Sequence, residues 1–272
     1  QGGRGLPLIL DSVRRRRKAS DRRICVVHNF AQLPIGAEDN QAEEARFRGR
    51  VYQAFLNAKL YVGDDVPDEE DDSKAHNPVV IGAYDETERM VGFVYSIVGM
   101  KFPRQVLQWS HMLGVLPEYR NSGLGRALKL AQRDQALAQG YELVEWTYDP
   151  LQALNAHLNF TKLGVVAEEY HRNVYGESTS VLHKGTPTDR LVAQWWIARP
   201  HVERRVAPQE AIVVTSSELA DATPVNTTHP AEQWLANSAI HLGRDARRLT
   251  LEIPMGFTDM QREAPTLALE WR

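Results

Sequence analysis

The sequence predicts an α/β protein, and three observations carry that expectation. From about residue 77 to 198, short β-branched or apolar runs alternate with longer stretches of helical periodicity. Leu113–Leu128, LGVLPEYRNSGLGRAL, passes from a strand pattern through a Pro and a glycine-rich turn straight into a helix pattern. With 272 residues, 43% hydrophobic and 25% charged, the chain can bury a full core in one or two domains.

Taken in order, Arg22–Phe30 reads as a short β-branched strand and Gln41–Lys59 as an amphipathic helix, with Ala45, Val51, Phe55 and Leu56 on or near one face. Asn77–Tyr84 and Met90–Val98 read as a hairpin joined through DETE, and Gln108–Val115 as the strand that reaches the glycine turn. Gly123–Gln139 follows as a helix, closed by Gly140 where a left-handed cap belongs. Glu142–Tyr148 is the next strand. Asp149 then reads as an N-cap, with Pro150 in the first turn of a helix Leu151–Leu163 that Gly164 stops. Val165–Tyr175 and Asp189–Ala198 complete the sheet, with Trp195 and Trp196 as one core and one surface aromatic. Farther on, Ala211–Thr215 and Arg248–Ile253 read as strands and Asp259–Trp271 as a helix.

The glycine turn has chemistry of its own. The first N–H groups of a helix have no intrahelical partner, and glycines let an anion approach them closely. Together with the positive end of the helix dipole, such a turn suits a pyrophosphate. Arg120 and Arg126 flank it and can add charge-assisted bonds. Two familiar phosphate motifs are excluded, because the spacing is not G-x-G-x-x-G and no Gly-Lys-Ser/Thr follows.

What remains, R-x-x-G-x-G from Arg120 to Gly125 with Val115 and Pro117 leading in, resembles the acyl-CoA signature of the GNAT superfamily of N-acyltransferases. Residues from about 79 to 198 are similar to that family's order of strand, strand, strand, helix, strand, helix, strand, strand. The wording from WSHMLGVLPEYR to GTPTDRLVAQWW further resembles a bacterial branch of acetyl- and succinyltransferases. The resemblance implies a mixed, mostly antiparallel central sheet with helices on both faces. In it, the strands ending near Val115 and Tyr148 form a parallel pair that splays apart. It divides the chain into an acyltransferase domain, residues 1–198, opened by a loose basic segment 1–20, and a C-terminal α+β extension, residues 199–272, packed on that core.

The cosubstrate implied is acetyl-CoA or another acyl-CoA, with no metal. The backbone of Met112, Leu113, Gly114 and Val115 would pair with the pantetheine arm as a strand does. Arg120, Asn121, Ser122, Gly123, Leu124, Gly125 and Arg126 would hold the pyrophosphate, and Asn155 would contact the pantetheine or thiol region. Attack on a thioester requires a deprotonated amine, a stabilised oxyanion and a proton for the thiolate. His111 and Glu145, on neighbouring strands, are the candidate bases; imidazole changes charge near physiological pH. In the family the acid is commonly a Tyr four residues before the Gly that ends the second helix, but counting back from Gly164 finds Phe160. Either Tyr148, His157, Tyr170 or Tyr175 donates the proton, or the thiolate leaves unassisted and picks one up from water.

Composition narrows the partners. A net charge of −3 argues against a nucleic-acid or anionic-membrane binder, apart from the run Arg14–Lys18, and no apolar run reaches a bilayer span. The acidic stretch GDDVPDEEDD lacks an EF-hand's ligand spacing, and nine histidines fall into no HExxH pattern. The N-terminal apolar piece precedes its basic run, the reverse of a secretory signal, and lone Cys25 makes no internal disulfide. The expectation is a cytoplasmic acyltransferase for a small-molecule amine such as an amino acid, monomeric or homodimeric. The alternative from another class is a CoA-binding sensor or scaffold that has lost its chemistry, which Phe160 favours.

Overall fold

The computed structural model describes the backbone of residues 23–26 and, in full, residues 78–87, 89–176, 186–207, 220–242 and 246–272. The helix expected over Gln41–Lys59, the strand over Ala211–Thr215, the basic run Arg14–Lys18 and the acidic stretch near Asp64 lie outside them. The chain divides into two compact units, residues 1–145 and 146–272.

Among the described residues, the first unit is a mixed sheet with one helix laid on it. Strands β1 (Arg23–Val26), β2 (Val79–Tyr84), β3 (Met90–Lys101), β4 (Gln105–Val115) and β5 (Leu143–Tyr148, which ends in the second unit) are neighbours in that order. The first three pairings are antiparallel, and only β4 with β5 is parallel. β3 and β4 run longer than the sequence pattern indicates, because Pro103, which has no N–H to give, falls between the two ladders rather than in one.

Helix α1 (Leu124–Ala138) follows a single 3₁₀ turn, Pro117–Tyr119. Its inward residues Leu124 and Leu128 join Ile81, Phe93, Val94, Tyr95 and Leu116 in one buried cluster. Burying a leucine side chain contributes about 1.5–3 kcal/mol, so this helix is held by its packing more than by its caps. Gly92 permits that packing: a Cβ there would stand 3.1 Å from Leu128 Cδ1 and 3.3 Å from Leu124 Cδ2.

In the second unit β7 (Arg190–Trp196) lies between the end of β5 and β6 (Tyr170–His171). Helix α2 (Ala153–Ala156) widens into a π-helical stretch, His157–Leu163, that ends at left-handed Gly164. Trp195 is fully buried, donating to Leu163 O at 2.8 Å and meeting Trp146 edge-on, whereas Trp196 is half-buried beneath Arg199. Helix α3 (Pro200–Val206) follows. Two small ladders come next, β8 (Thr223–Pro224) with β11 (Leu249–Thr250) and β9 (Asn226–Ala231) with β10 (Trp234–Ile240). Helices α4 (Phe257–Glu263) and α5 (Pro265–Glu270) close the unit, and Phe257, Met260 and Ala268 pack on Leu151.

Three local expectations are corrected here. The strand read over Val165–Tyr175 shrinks to β6 and a single bridge, Val166↔Gln194. Side chains take the backbone groups a ladder would have used: Asp189 accepts the Asn173 N–H at 2.9 Å, and Asn173 accepts the Thr188 N–H at 3.1 Å. The helix read over Asp259–Trp271 is two helices. Pro265 lacks an N–H and forces Ala264 to φ −135°, ψ 64°. Asp149 is not the N-cap of the second helix, which begins at Ala153 after Gln152. Its carboxylate accepts the Leu151 N–H at 3.0 Å and holds Arg272 through two bonds of 2.9 and 2.6 Å.

Candidate functional site

The site is built around β4. Its ladder with β3 pairs Tyr95 with Met112 but Ser96 with Ser110, so His111 stands opposite no residue and forms a bulge. The parallel ladder with β5 is formed at Gln108↔Val144 and Trp109↔Glu145, just before that bulge. From His111 to Val115, β4 therefore runs on beyond its parallel pairing, as a strand edge along which an extended ligand can add.

At its end β4 delivers the chain to the glycine turn. Arg120 is extended, Asn121 has φ 58° and Gly123 has φ 83°, a left-handed pair that reverses the chain into α1. Only glycine adopts such an angle without penalty. No side chain caps α1, and a Cβ placed on Gly123 would meet no atom within 4 Å. Exposed Arg120, its Nε donating to Val115 O at 3.2 Å, and half-buried Arg126 flank this start. An uncapped helix N-terminus, open space above it and two cations fit a pyrophosphate.

The turn is anchored from the β2–β3 hairpin. The Tyr119 hydroxyl donates to Asp85 Oδ2 at 2.9 Å, and Arg89 pairs with Glu118 at 3.3 Å. Asp85 Oδ1 also accepts from Thr87 N and Oγ1 and from Arg89 N. Burial alone would raise the Asp85 pKa, but these bonds outweigh it and hold the carboxyl below its ordinary value. Ser122 Oγ donates to Tyr119 O at 2.6 Å, closing the turn on itself.

The expected residues fall into two groups. In the first unit, Met112 is half-buried, Leu113 is exposed, Gly114 is buried and Val115 is half-buried along the free part of β4. Asn121, Ser122 and Gly123 are exposed, Gly125 is half-buried, and Leu124 is buried in the core. His111 is exposed, with its ring edge-on to Tyr95 at 6.0 Å. Glu145 shares a register with Trp109, so its side chain stands on the same face. That carboxylate is 6% exposed and bound to Lys101 Nζ at 3.0 Å.

Tyr148 and Asn155 belong to the second unit. Tyr148 is buried, with its ring edge-on to Phe160 at 6.1 Å. Burial, with the Asp149 charge, pushes its phenol above the usual range, so it carries its proton at neutral pH. Asn155 is exposed on α2. Of the alternatives, His157 and Tyr175 are exposed and Tyr170 donates to Asp189 Oδ2.

The sequence pattern did not flag Lys101 or Asp85. Their partners lie 44 and 34 positions away, and no local spacing marks a contact at that range. Among the described residues, no group of three or more His, Cys, Asp and Glu could hold a metal ion, and no helix is long and apolar enough to cross a membrane.

Residues 49–164, a little under half of the chain, match the family model described as the acetyltransferase (GNAT) family. The matched segment contains β2 to β5, the glycine turn and α1. The chain is similar to the ribosomal-protein-S18-alanine N-acetyltransferase of Escherichia coli, at 15% identity over 65% of this chain and 95% of that one, with a TM-score of 0.42. It is also similar to a GNAT-family acetyltransferase of Streptococcus pneumoniae, at 18% identity, 52% and 88% coverage and a TM-score of 0.37. A third similar structure is Arabidopsis thaliana NAA60 in complex with a bisubstrate analogue, at 13% identity, 64% and 98% coverage and a TM-score of 0.40. No curated protein matches this chain.

Proposed function

We propose that this chain is an acyl-CoA-dependent N-acyltransferase that acetylates or succinylates the amine of a small molecule, such as an amino acid, by direct attack in a ternary complex. The observation that carries the reading is the junction itself. A strand bulged at His111 continues past its parallel partner and runs into an uncapped helix start at left-handed Gly123. Few ligands need a strand edge and an anion site in line, and the pantetheine arm and pyrophosphate of CoA do.

Under this proposal the residues take these roles. The backbone of Met112, Leu113, Gly114 and Val115 pairs with the arm. Asn121 to Gly125 supply N–H groups to the pyrophosphate, and Arg120 and Arg126 supply charge. His111, exposed at the bulge, is the preferred base, directly or through a water. Glu145 is the second candidate base; its carboxylate is already engaged by Lys101, so an approaching amine must compete with that contact. Tyr148 is the candidate proton donor to the departing thiolate, because Phe160 has no proton to give. Asn155 is a candidate contact for the thiol region. Bound acyl-CoA supplies the activated carbonyl and a thiolate leaving group, so no enzyme nucleophile is required.

The test is free-thiol release from acetyl-CoA and succinyl-CoA with amino acids, simple amines and short peptides bearing free N-termini. Acceptor-dependent release supports the reading and defines the acceptor class. In the same assay His111→Ala lowers kcat by about 10²–10⁴-fold, the usual worth of a general base, and Glu145→Ala costs less. Tight CoA binding with no thiol release from any acceptor would favour the sensor or scaffold instead.

A further inference from the structure

Four polar side chains lie buried between the sheet and α1, and none belongs to the surface that would meet a substrate. Lys129 and Gln132 come from α1, Ser96 from β3 and Ser110 from β4, and each is at least nine-tenths buried. Lys129 Nζ donates to Ser110 Oγ at 2.8 Å and to Gln132 Oε1 at 3.1 Å. Ser110 Oγ donates to Gln132 Oε1 at 3.3 Å, and Gln132 Nε2 donates to Ser96 Oγ at 2.7 Å. Lys129, Ser110 and Gln132 thus close a three-membered ring, and the Gln132 amide ties Ser96 to it.

The location of this ring gives it meaning. Ser96 and Ser110 are register partners, the last pair before the ladder skips His111 and resumes at Tyr95↔Met112. A bulge is a point where the pairing register changes, so two registers meet at this pair. Hydrogen bonds with fixed partners discriminate between them. α1, which holds the other ends of these bonds, begins at the glycine turn five residues before Lys129. Burial also lowers the Lys129 pKa well below its ordinary value, which favours an uncharged amine in this position.

We infer that Lys129, Gln132, Ser96 and Ser110 are positioning residues, a buried polar clamp that ties the register of the His111 bulge to the helix carrying the anion site. His111 and the amides after it are thereby held at a fixed offset from the turn. The consequence for catalysis rests on the acyl-transfer reading above, whereas the clamp itself does not.

The experiment is amide hydrogen exchange on the full chain, comparing wild type with Lys129→Met, which keeps length and removes both donors, and with the milder Ser96→Ala. Exchange over Trp109–Val115 rises by at least about tenfold in Lys129→Met, while Val79–Tyr84 stays at the wild-type rate. A uniform rise across both strands, or none over Trp109–Val115, overturns the clamp. If Lys129→Met fails to fold, Ser96→Ala must show the same local pattern at about threefold. Where turnover is measurable, kcat falls by about tenfold and the KM for acyl-CoA rises, because the amides after His111 loosen with it; an unchanged kcat overturns the clamp's link to chemistry. Loss of all turnover in the wild type would count against the acyltransferase reading, and the exchange result would still decide the clamp.

Discussion

Two of the strand-to-helix junctions among the described residues, β4 to α1 and β5 to α2, fill the turn between strand and helix in opposite ways. β4 enters α1 through an exposed glycine turn that leaves the helix uncapped, with arginines on either side. β5 enters α2 through Asp149, a buried carboxylate that bonds the Leu151 N–H and is neutralised by Arg272, whose side chain is 2% exposed. One junction brings its own anion and seals it. At the other, no side chain caps the helix start. Neither helix start has a side-chain cap, so the difference lies in the turn before it: buried and ion-paired at Asp149, exposed and built on glycine at Gly123.

The largest expected effect breaks the sealed junction. Asp149→Ala leaves the Arg272 guanidinium uncompensated in the interior and costs about 3–5 kcal/mol of unfolding free energy in denaturant titration. A loss below about 1 kcal/mol would mean that solvent already screens the pair.

Next comes the open junction. Gly123→Val must hold a β-branched residue at φ 83°, a strain of about 1–2 kcal/mol, and places a side chain in the space above α1. Calorimetry should show CoA binding weakened by at least about 30-fold. Gly123→Asn tolerates the left-handed angle and should cost about tenfold or less. Equal losses from the two would show that filled space, not backbone angle, matters at this turn.

A smaller effect tests the anchor of that turn. Tyr119→Phe removes the bond to Asp85 and should lower stability by about 1 kcal/mol, with a modest loss of CoA affinity. The smallest is a pH effect. Asp85 has a folded pKa below its unfolded value, so its contribution is complete above about pH 4 and is lost as pH falls through the folded value. Asp85→Asn should flatten the acid limb of the stability curve below that pH and leave neutral behaviour nearly unchanged. An unchanged acid limb would place that carboxylate's titration elsewhere.

Much of this was legible in sequence where the signal is local. The α1 boundaries, the left-handed glycines after α1 and the π-helical stretch, and the turn between Arg120 and Gly125 all appear within one residue of their expected places. Such features depend on φ angles and on periodicity over a few residues. Asp149 was misread for the same reason: an acidic residue followed by Pro carries the local signature of an N-cap, and only Arg272, 123 positions away, turns it into half of a buried ion pair. The extra length of β3 and β4 was hidden because a hairpin ladder continues wherever partners face each other, whatever the composition.

Alone, then, the sequence determined the order of strands and helices from β2 to the π-helical stretch, the glycine turn and the cations beside it. Those follow from steric limits on single residues and from the repeat of side chains along one element. Tertiary structure decided that His111 sits at a bulge, that Glu145 is already paired with Lys101, and that Lys129 lies under the sheet rather than in water. Each of these is a relation between elements brought together by burial. Period-two and period-3.6 patterns say which face a residue takes, but the register between two strands, and so the identity of the residue left over, is fixed only when the faces pack.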